Sequence, residues 1–143
     1  MSIKNYTTTI AVEKTMGECI GFLARRGVTR ISSLFDDEGN PAGIGFTMKT
    51  EYGVHDFELP VRVEGVLRAM TADRSIPRSK CTPEQAAKVA WRIAQDWLEA
   101  QSALIDAGLA RLEEVMFPYM IGYSQGEPIT AYQAFRDQKA LTA

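Results

Sequence analysis

A chain of 143 residues, 45% hydrophobic and 24% charged, has the composition of a soluble globular domain and can bury a core without metals or disulfides. A formal charge of −2 and a pI near 5.5 argue against bulk affinity for nucleic acid. No apolar run approaches ~18 residues and Met1-Ser2-Ile3-Lys4-Asn5 lacks a secretory apolar core, so neither a membrane span nor a leader is expected and the chain reads as cytoplasmic.

The element order reads β-α-β-β-β and then helical. Tyr6, Thr8, Ile10 and Val12 alternate with Thr7, Thr9 and Ala11, the pattern of a half-buried strand. Thr15 then caps a helix whose apolar positions Met16, Ile20 and Leu23 recur at helical spacing. Gly27 should stop it, with Arg25 and Arg26 in its last turn. Val28 to Phe35 is a strand with Ile31, Ser33 and Phe35 on one face, and Asp36-Asp37-Glu38-Gly39-Asn40-Pro41 is a dense turn. Ile44, Phe46 and Met48 project to one face of the next strand. Tyr52-Gly53 turns the chain, and His55, Phe57 and Leu59 alternate on the return strand until Pro60.

A short helix is expected over 61–70 and a loop over 71–80. Thr82-Pro83-Glu84-Gln85 is a capping box with proline at the first helical position, and no proline follows until Phe117-Pro118. That predicts a helix from Thr82 to about Met116, ~50 Å long if unbroken. Ala86, Ala90, Ile93, Trp97, Ala100, Leu104 and Ala107 follow the steps of a coiled-coil seam, and Ala87, Trp91, Ala94, Leu98, Ile105 and Leu112 form a second row beside it. Gly108 is the expected point of a bend or break. The tail is Gly-rich at Gly122 and Gly126, with a weak helix over 129–141.

The expected fold is therefore α+β within one domain spanning 1–143. A mainly antiparallel sheet of three or four strands (1–60) carries a helix inserted after its first strand. It packs, across a crossover (61–81), on the long helix (82–120), and a tail covers 121–143. Trp91 and Trp97 lie ~120° apart around their helix, so burying both needs neighbours on two sides. Either the chain folds back at Gly108, or a homodimer forms through Trp91, Trp97, Leu98, Leu104 and Ile105; the dimer is the expectation.

No catalytic constellation is visible. His55 is the one histidine, and its strand pattern suggests a packed, hydrogen-bonded ring. One His and two distant cysteines, Cys19 and Cys81, supply no zinc set, and their spacing suits reduced thiols. Asp36-Asp37-Glu38 lacks the alternating acids of a cation loop, and Gly43-Ile44-Gly45 precedes a strand, unlike a dinucleotide fingerprint. Arg92 and Asp96 have the spacing of an ion pair along one helix face. No metal or cofactor is expected.

Charge has a direction even so. Residues 1–35 and 60–80 each sum to +3, whereas 36–59 sum to −5. Arg25, Arg26 and Arg30 in the first segment and Arg62, Arg68, Arg74, Arg78 and Lys80 in the second are candidate phosphate ligands, because guanidinium forks match two oxygens at once. If both segments share a face, a nucleic acid or nucleotide is the expected ligand.

Tyr6-Thr7-Thr8-Thr9-Ile10-Ala11-Val12-Glu13-Lys14-Thr15 and Ala90-Trp91-Arg92-Ile93-Ala94-Gln95-Asp96-Trp97-Leu98-Glu99-Ala100-Gln101 resemble a widespread group of small phage and prophage proteins of unassigned activity. Phe57-Glu58-Leu59-Pro60 and Glu114-Val115-Met116-Phe117-Pro118-Tyr119 fit the same pattern, so the resemblance covers roughly residues 6–120. It implies a phage accessory protein that binds a host or phage macromolecule, such as an inhibitor or anti-defence protein, and it transfers no site residues.

Overall fold

The structure, a computed structural model, describes residues 3–137. Helix α1 (Val12–Ala24) leads into a three-stranded antiparallel sheet in the order β1 (Val28–Phe35), β2 (Pro41–Thr50) and β3 (Gly53–Pro60). Helix α2 (Val63–Ala72) and a 3-10 turn (Arg78–Lys80) precede the long helix α3 (Pro83–Asp106). A short helix α4 (Leu112–Val115), a second 3-10 turn (Phe117–Tyr119), a hairpin of β4 (Ile121–Ser124) and β5 (Glu127–Thr130), and α5 (Ala131–Asp137) complete it. The class is α+β as expected. The last four residues of the weak helix expected over 129–141 lie outside the described residues.

The central hairpin forms in the register that its alternation demands. Ile44 pairs with Leu59, Phe46 with Phe57 and Met48 with His55, which puts one apolar row on one face. Phe46 and Phe57 stack with centroids 5.1 Å apart. Phe22 and Leu23 of α1 and Trp91 and Leu98 of α3 close the main core over that row. Asp36 organises its turn by accepting from the Glu38 and Asn40 amides, each at 2.9 Å. Phe35 departs from expectation: the pairing slips between Leu34 and Phe35, and the ring ends exposed.

The first expected strand is absent. Residues 8–11 run without strand pairing and α1 begins at Val12, so the helix precedes the sheet rather than interrupting it. The cause lies in α3. Gln85 was expected to complete a capping box, but only Thr82 plays its part, accepting from the Gln85 amide at 3.2 Å. The Gln85 side chain instead donates to the carbonyls of Tyr6 and Thr8, both at 2.9 Å. Asn5, at a φ of +68°, donates to Asp96 at 2.8 Å, and Lys4 pairs with the same carboxylate at 3.5 Å. Ile3 and Tyr6 thereby cover a second core, in which α2 meets α3 through Met70, Val89 and Ala86. Backbone groups that a sheet would have satisfied are satisfied by side chains of a helix.

Helix α3 breaks where the glycine stands. Gly108 adopts a φ of +74°, its amide donates to the Ile105 carbonyl at 3.0 Å, and the Leu109 amide donates to Leu104 at 2.9 Å. This is a Schellman closure, which only a residue tolerant of the left-handed region forms cheaply. The helix has 24 residues, ~36 Å at ~1.5 Å each, instead of the ~50 Å of an unbroken run. Beyond it the chain folds back: Leu112 and Met116 are buried, and Tyr119 meets Trp97 edge to face at 6.2 Å. Trp91 is 0% exposed, with its Nε1 donating to the Pro41 carbonyl at 3.4 Å. Within one chain Trp91 is thus buried and Trp97 half-buried, with the folded-back segment packed against it.

Truncating Trp91 removes the largest fully buried side chain. Trp91→Ala is expected to lower the unfolding free energy by about 3–5 kcal/mol, read by urea titration, with the light-scattering mass equal to that of the parent. A change of mass would show that this indole also holds two copies together.

Candidate functional site

The residues expected to bind phosphate do not converge. Arg26 lies at the far end of α3, donating to the Ser102 hydroxyl and to Asp106 at 2.9 Å, with its guanidinium 4.3 Å over the Phe22 ring. Its side chain is only 12% exposed, so it serves as a tie between α1 and α3. Arg78 and Lys80 precede the other end of the same ~36 Å helix. Arg68 is an exposed residue of α2, Arg74 lies in the loop after it, and Arg30 is exposed on β1. Arg25 borders a groove between α1 and α3 beside Arg92. Arg26 and the Arg78–Lys80 turn therefore sit toward opposite ends of the molecule's longest element. Arg62 falls in a cleft that a distant arginine, Arg136, also enters.

The expected helix-surface pair does not form either. Arg92 reaches Glu18 of α1 at 2.9 Å, while Asp96 turns to Lys4 and Asn5. Of the expected interface residues, Trp91 and Leu98 are buried in the core and Trp97 and Ile105 pack against it, which leaves Leu104 exposed. The coiled-coil seam is open only over its last turns, at Ala100, Leu104 and Ala107.

A more open apolar cavity lies elsewhere, between the β2–β3 turn and the chain after Gly108. It measures about 990 Å³ and is bordered by Tyr52, His55, Phe57, Leu109, Phe117 and Met120. Tyr52 is 80%, Leu109 73% and Phe117 56% exposed, unusual for side chains this large in one place. Phe117 and Met120 also line an adjoining apolar hollow of about 400 Å³, next to Tyr123, Tyr132 and Phe135. The two hollows form one apolar strip along the turned-back segment. Its rim is acidic: Glu51, Glu113 and Glu114 face a single cation, Arg111. Arg111 donates to Glu51 and lies 3.8 Å from Glu113; the bond to Glu51 and then its charge raise the Arg111 pKa.

His55 sits in this cavity half-buried, its Nε2 3.3 Å from the Tyr52 carbonyl oxygen, which matches the packed ring expected of it. Thr50, which shares this cavity, donates to the Gly53 carbonyl at 2.9 Å and accepts from the Tyr52 amide at 3.0 Å. Among the described residues, no group of three or more His, Cys, Asp or Glu side chains is placed to hold a metal ion, and no helix is long and apolar enough to cross a membrane. The apolar strip had no clear sequence signal. Its residues come from 50–57 and 108–135, and they meet only because Gly108 reverses the chain. No family model, curated protein or solved structure matches the chain.

Both cysteines are free. Burial, followed by the neighbouring Glu18 charge, pushes the Cys19 thiol up to about 12 from 9.0. The folded state therefore holds that proton more tightly than the unfolded chain. The stability this confers is complete below pH 9.0 and lost as the pH climbs toward about 12. At about pH 8 an aromatic disulfide reagent is expected to modify Cys81 in the folded protein and Cys19 only after unfolding. Equal rates for the two thiols would contradict the burial of Cys19. Arg26→Ala should cost about 1–3 kcal/mol in the same unfolding assay, because it strips Ser102, Asp106 and Phe22 of one shared partner.

Proposed function

We propose that this chain is a non-enzymatic docking protein that holds a partner protein along the apolar strip of its turned-back segment. The observation that carries this reading is the continuity of the strip: a cavity of about 990 Å³ runs through Phe117 and Met120 into a second of about 400 Å³, flanked by large apolar side chains more than half exposed. A chain that can bury Trp91 and a stacked phenylalanine pair has no folding reason to leave Tyr52, Leu109, Phe117, Tyr123 and Phe135 in water. Aromatic anchors around a concave apolar surface are what a protein interface concentrates.

Charge defines the partner further. Three glutamates against one arginine give the rim a negative balance, so the complementary segment is apolar with basic flanks. The resemblance to small phage proteins supports a host or phage protein as its source. Occupying a surface on that protein is how a small chain without a catalytic constellation acts as an inhibitor or anti-defence factor.

Phe117→Asp and Leu109→Asp are expected to abolish capture of the partner from host lysate while leaving the circular dichroism spectrum and melting temperature close to the parent's, because both side chains are already solvent-exposed. Capture of the same partner by the folded variants would sink the reading.

A further inference from the structure

The glycines that bracket Ile44 have a structural reason that opens onto a second site. A Cβ on Gly43 would lie 2.6 Å from the Leu59 carbonyl oxygen and 3.3 Å from Leu34 Cδ1, and one on Gly45 would lie 3.4 Å from Leu34 Cδ2. Bare backbone at both positions lets Leu34 lie flat on the sheet face opposite the core. Pro60 and Glu58 share that face, since they pair with Gly43 and Gly45. Together with α5 they border a cleft of about 750 Å³ whose floor is Leu34 and whose walls include Tyr119 and Tyr132.

Two arginines from opposite halves of the sequence enter this cleft. The Arg62 guanidinium has no ion pair or side-chain hydrogen bond among the described residues, and Arg136 has only its neighbour Asp137, 3.8 Å away and beyond hydrogen-bond reach. Glu58 lines the same cleft and forms an ion pair with neither. Opposite charges that share a cleft without pairing leave donors and an acceptor free for something else. A ligand that satisfies all of them is anionic at one end, carries N–H donors at the other, and is flat and partly apolar between.

We propose that this cleft binds a guanine nucleoside phosphate. The phosphate takes the two guanidinium forks, which match its oxygens in pairs. The ring lies over Leu34 and against the tyrosines, whose faces accept a stacked base. Glu58 accepts from the base's N1–H and N2–H, two parallel donors that fit the two oxygens of one carboxylate. Adenine offers one amino group beside a ring acceptor, and the second carboxylate oxygen is repelled by it. The volume is within the roughly 300–1,000 Å³ range of small-molecule sites. This site does not depend on the docking strip: although Pro118, Thr130 and Tyr132 border both, neither arginine nor Glu58 lines the strip.

Isothermal titration calorimetry at low salt, with guanosine monophosphate as the probe, tests it. One molecule per chain is expected, with adenosine monophosphate, guanosine and inorganic phosphate each about tenfold weaker or more. Arg62→Ala and Arg136→Ala should each weaken guanosine monophosphate by a similar factor. Glu58→Gln should erase the preference over adenosine monophosphate, and Arg74→Ala, outside the cleft, should change nothing. An unchanged unfolding midpoint in each variant separates lost binding from lost fold. The proposal is overturned if guanosine monophosphate gives no saturable heat, if inorganic phosphate binds as tightly, if a short single-stranded oligonucleotide binds tighter, or if the folded arginine variants bind like the parent.

Discussion

Trp97 meeting Tyr119 edge to face fastens the last third of this protein to the rest. A helix of 24 residues offers more apolar circumference than one sheet can cover, and α1 and α2 occupy the flanks of α3. The remaining sector around Trp97 must find a partner or stay wet. Gly108 supplies the reversal and Leu112, Met116 and Tyr119 supply the cover. From that contact the chain is carried to the free edge of β3, where Met120 bridges to Phe57 and sets the β4–β5 hairpin beside the sheet. The apolar strip and the arginine cleft are both walled by this returning segment, so both depend on the same aromatic contact.

Among the described residues, three ion pairs fasten other elements to α3. Arg26 holds the end of α1 to its last turns, Arg92 reaches back to Glu18, and Asp96 anchors Lys4 and Asn5. Each tie spans a large sequence separation and has at least one partly buried partner. That makes it worth more than an exposed pair along one helix, which contributes a few tenths of a kcal/mol. Arginines that look like a basic patch along the sequence are spent in this way or scattered along ~36 Å of helix. At the cleft, by contrast, Arg62 and Arg136 of α5 line one hollow although they lie far apart in sequence.

Several signals that sequence reasoning passed over were present. Gln125 and Gly126 both take positive φ, +55° and +82°, forming the two-residue turn of the β4–β5 hairpin. A glycine after a polar residue, between Tyr123-Ser124 and Glu127-Pro128, is a modest form of that signature. Thr130 and Gln133 form a reciprocal capping box, with the Gln133 amide donating to the Thr130 hydroxyl at 3.1 Å and the Thr130 amide to Gln133 at 2.9 Å. That spacing fixes the start of α5 at Ala131 rather than Ile129. The candidate sites had no comparable signal. Tyr52, Leu109 and Phe117 follow no shared period, and Glu58 reads as the polar side of an alternating strand.

What the sequence determined by itself was everything governed by neighbours within a few residues. The strand from Val28 to Phe35, the register of the central hairpin and the Thr82 cap follow from side-chain alternation and a hydroxyl beside orphan amides. Tertiary structure decided the rest, because those outcomes were competitions between distant groups. The Tyr6–Val12 alternation was sound strand material, yet the Gln85 side chain satisfied the Tyr6 and Thr8 carbonyls first. Two tryptophans asked for cover on two sides, and within one chain the segment turned back at Gly108 supplies it. The segment is tethered to the helix it covers, so its effective concentration does not depend on how much protein is present.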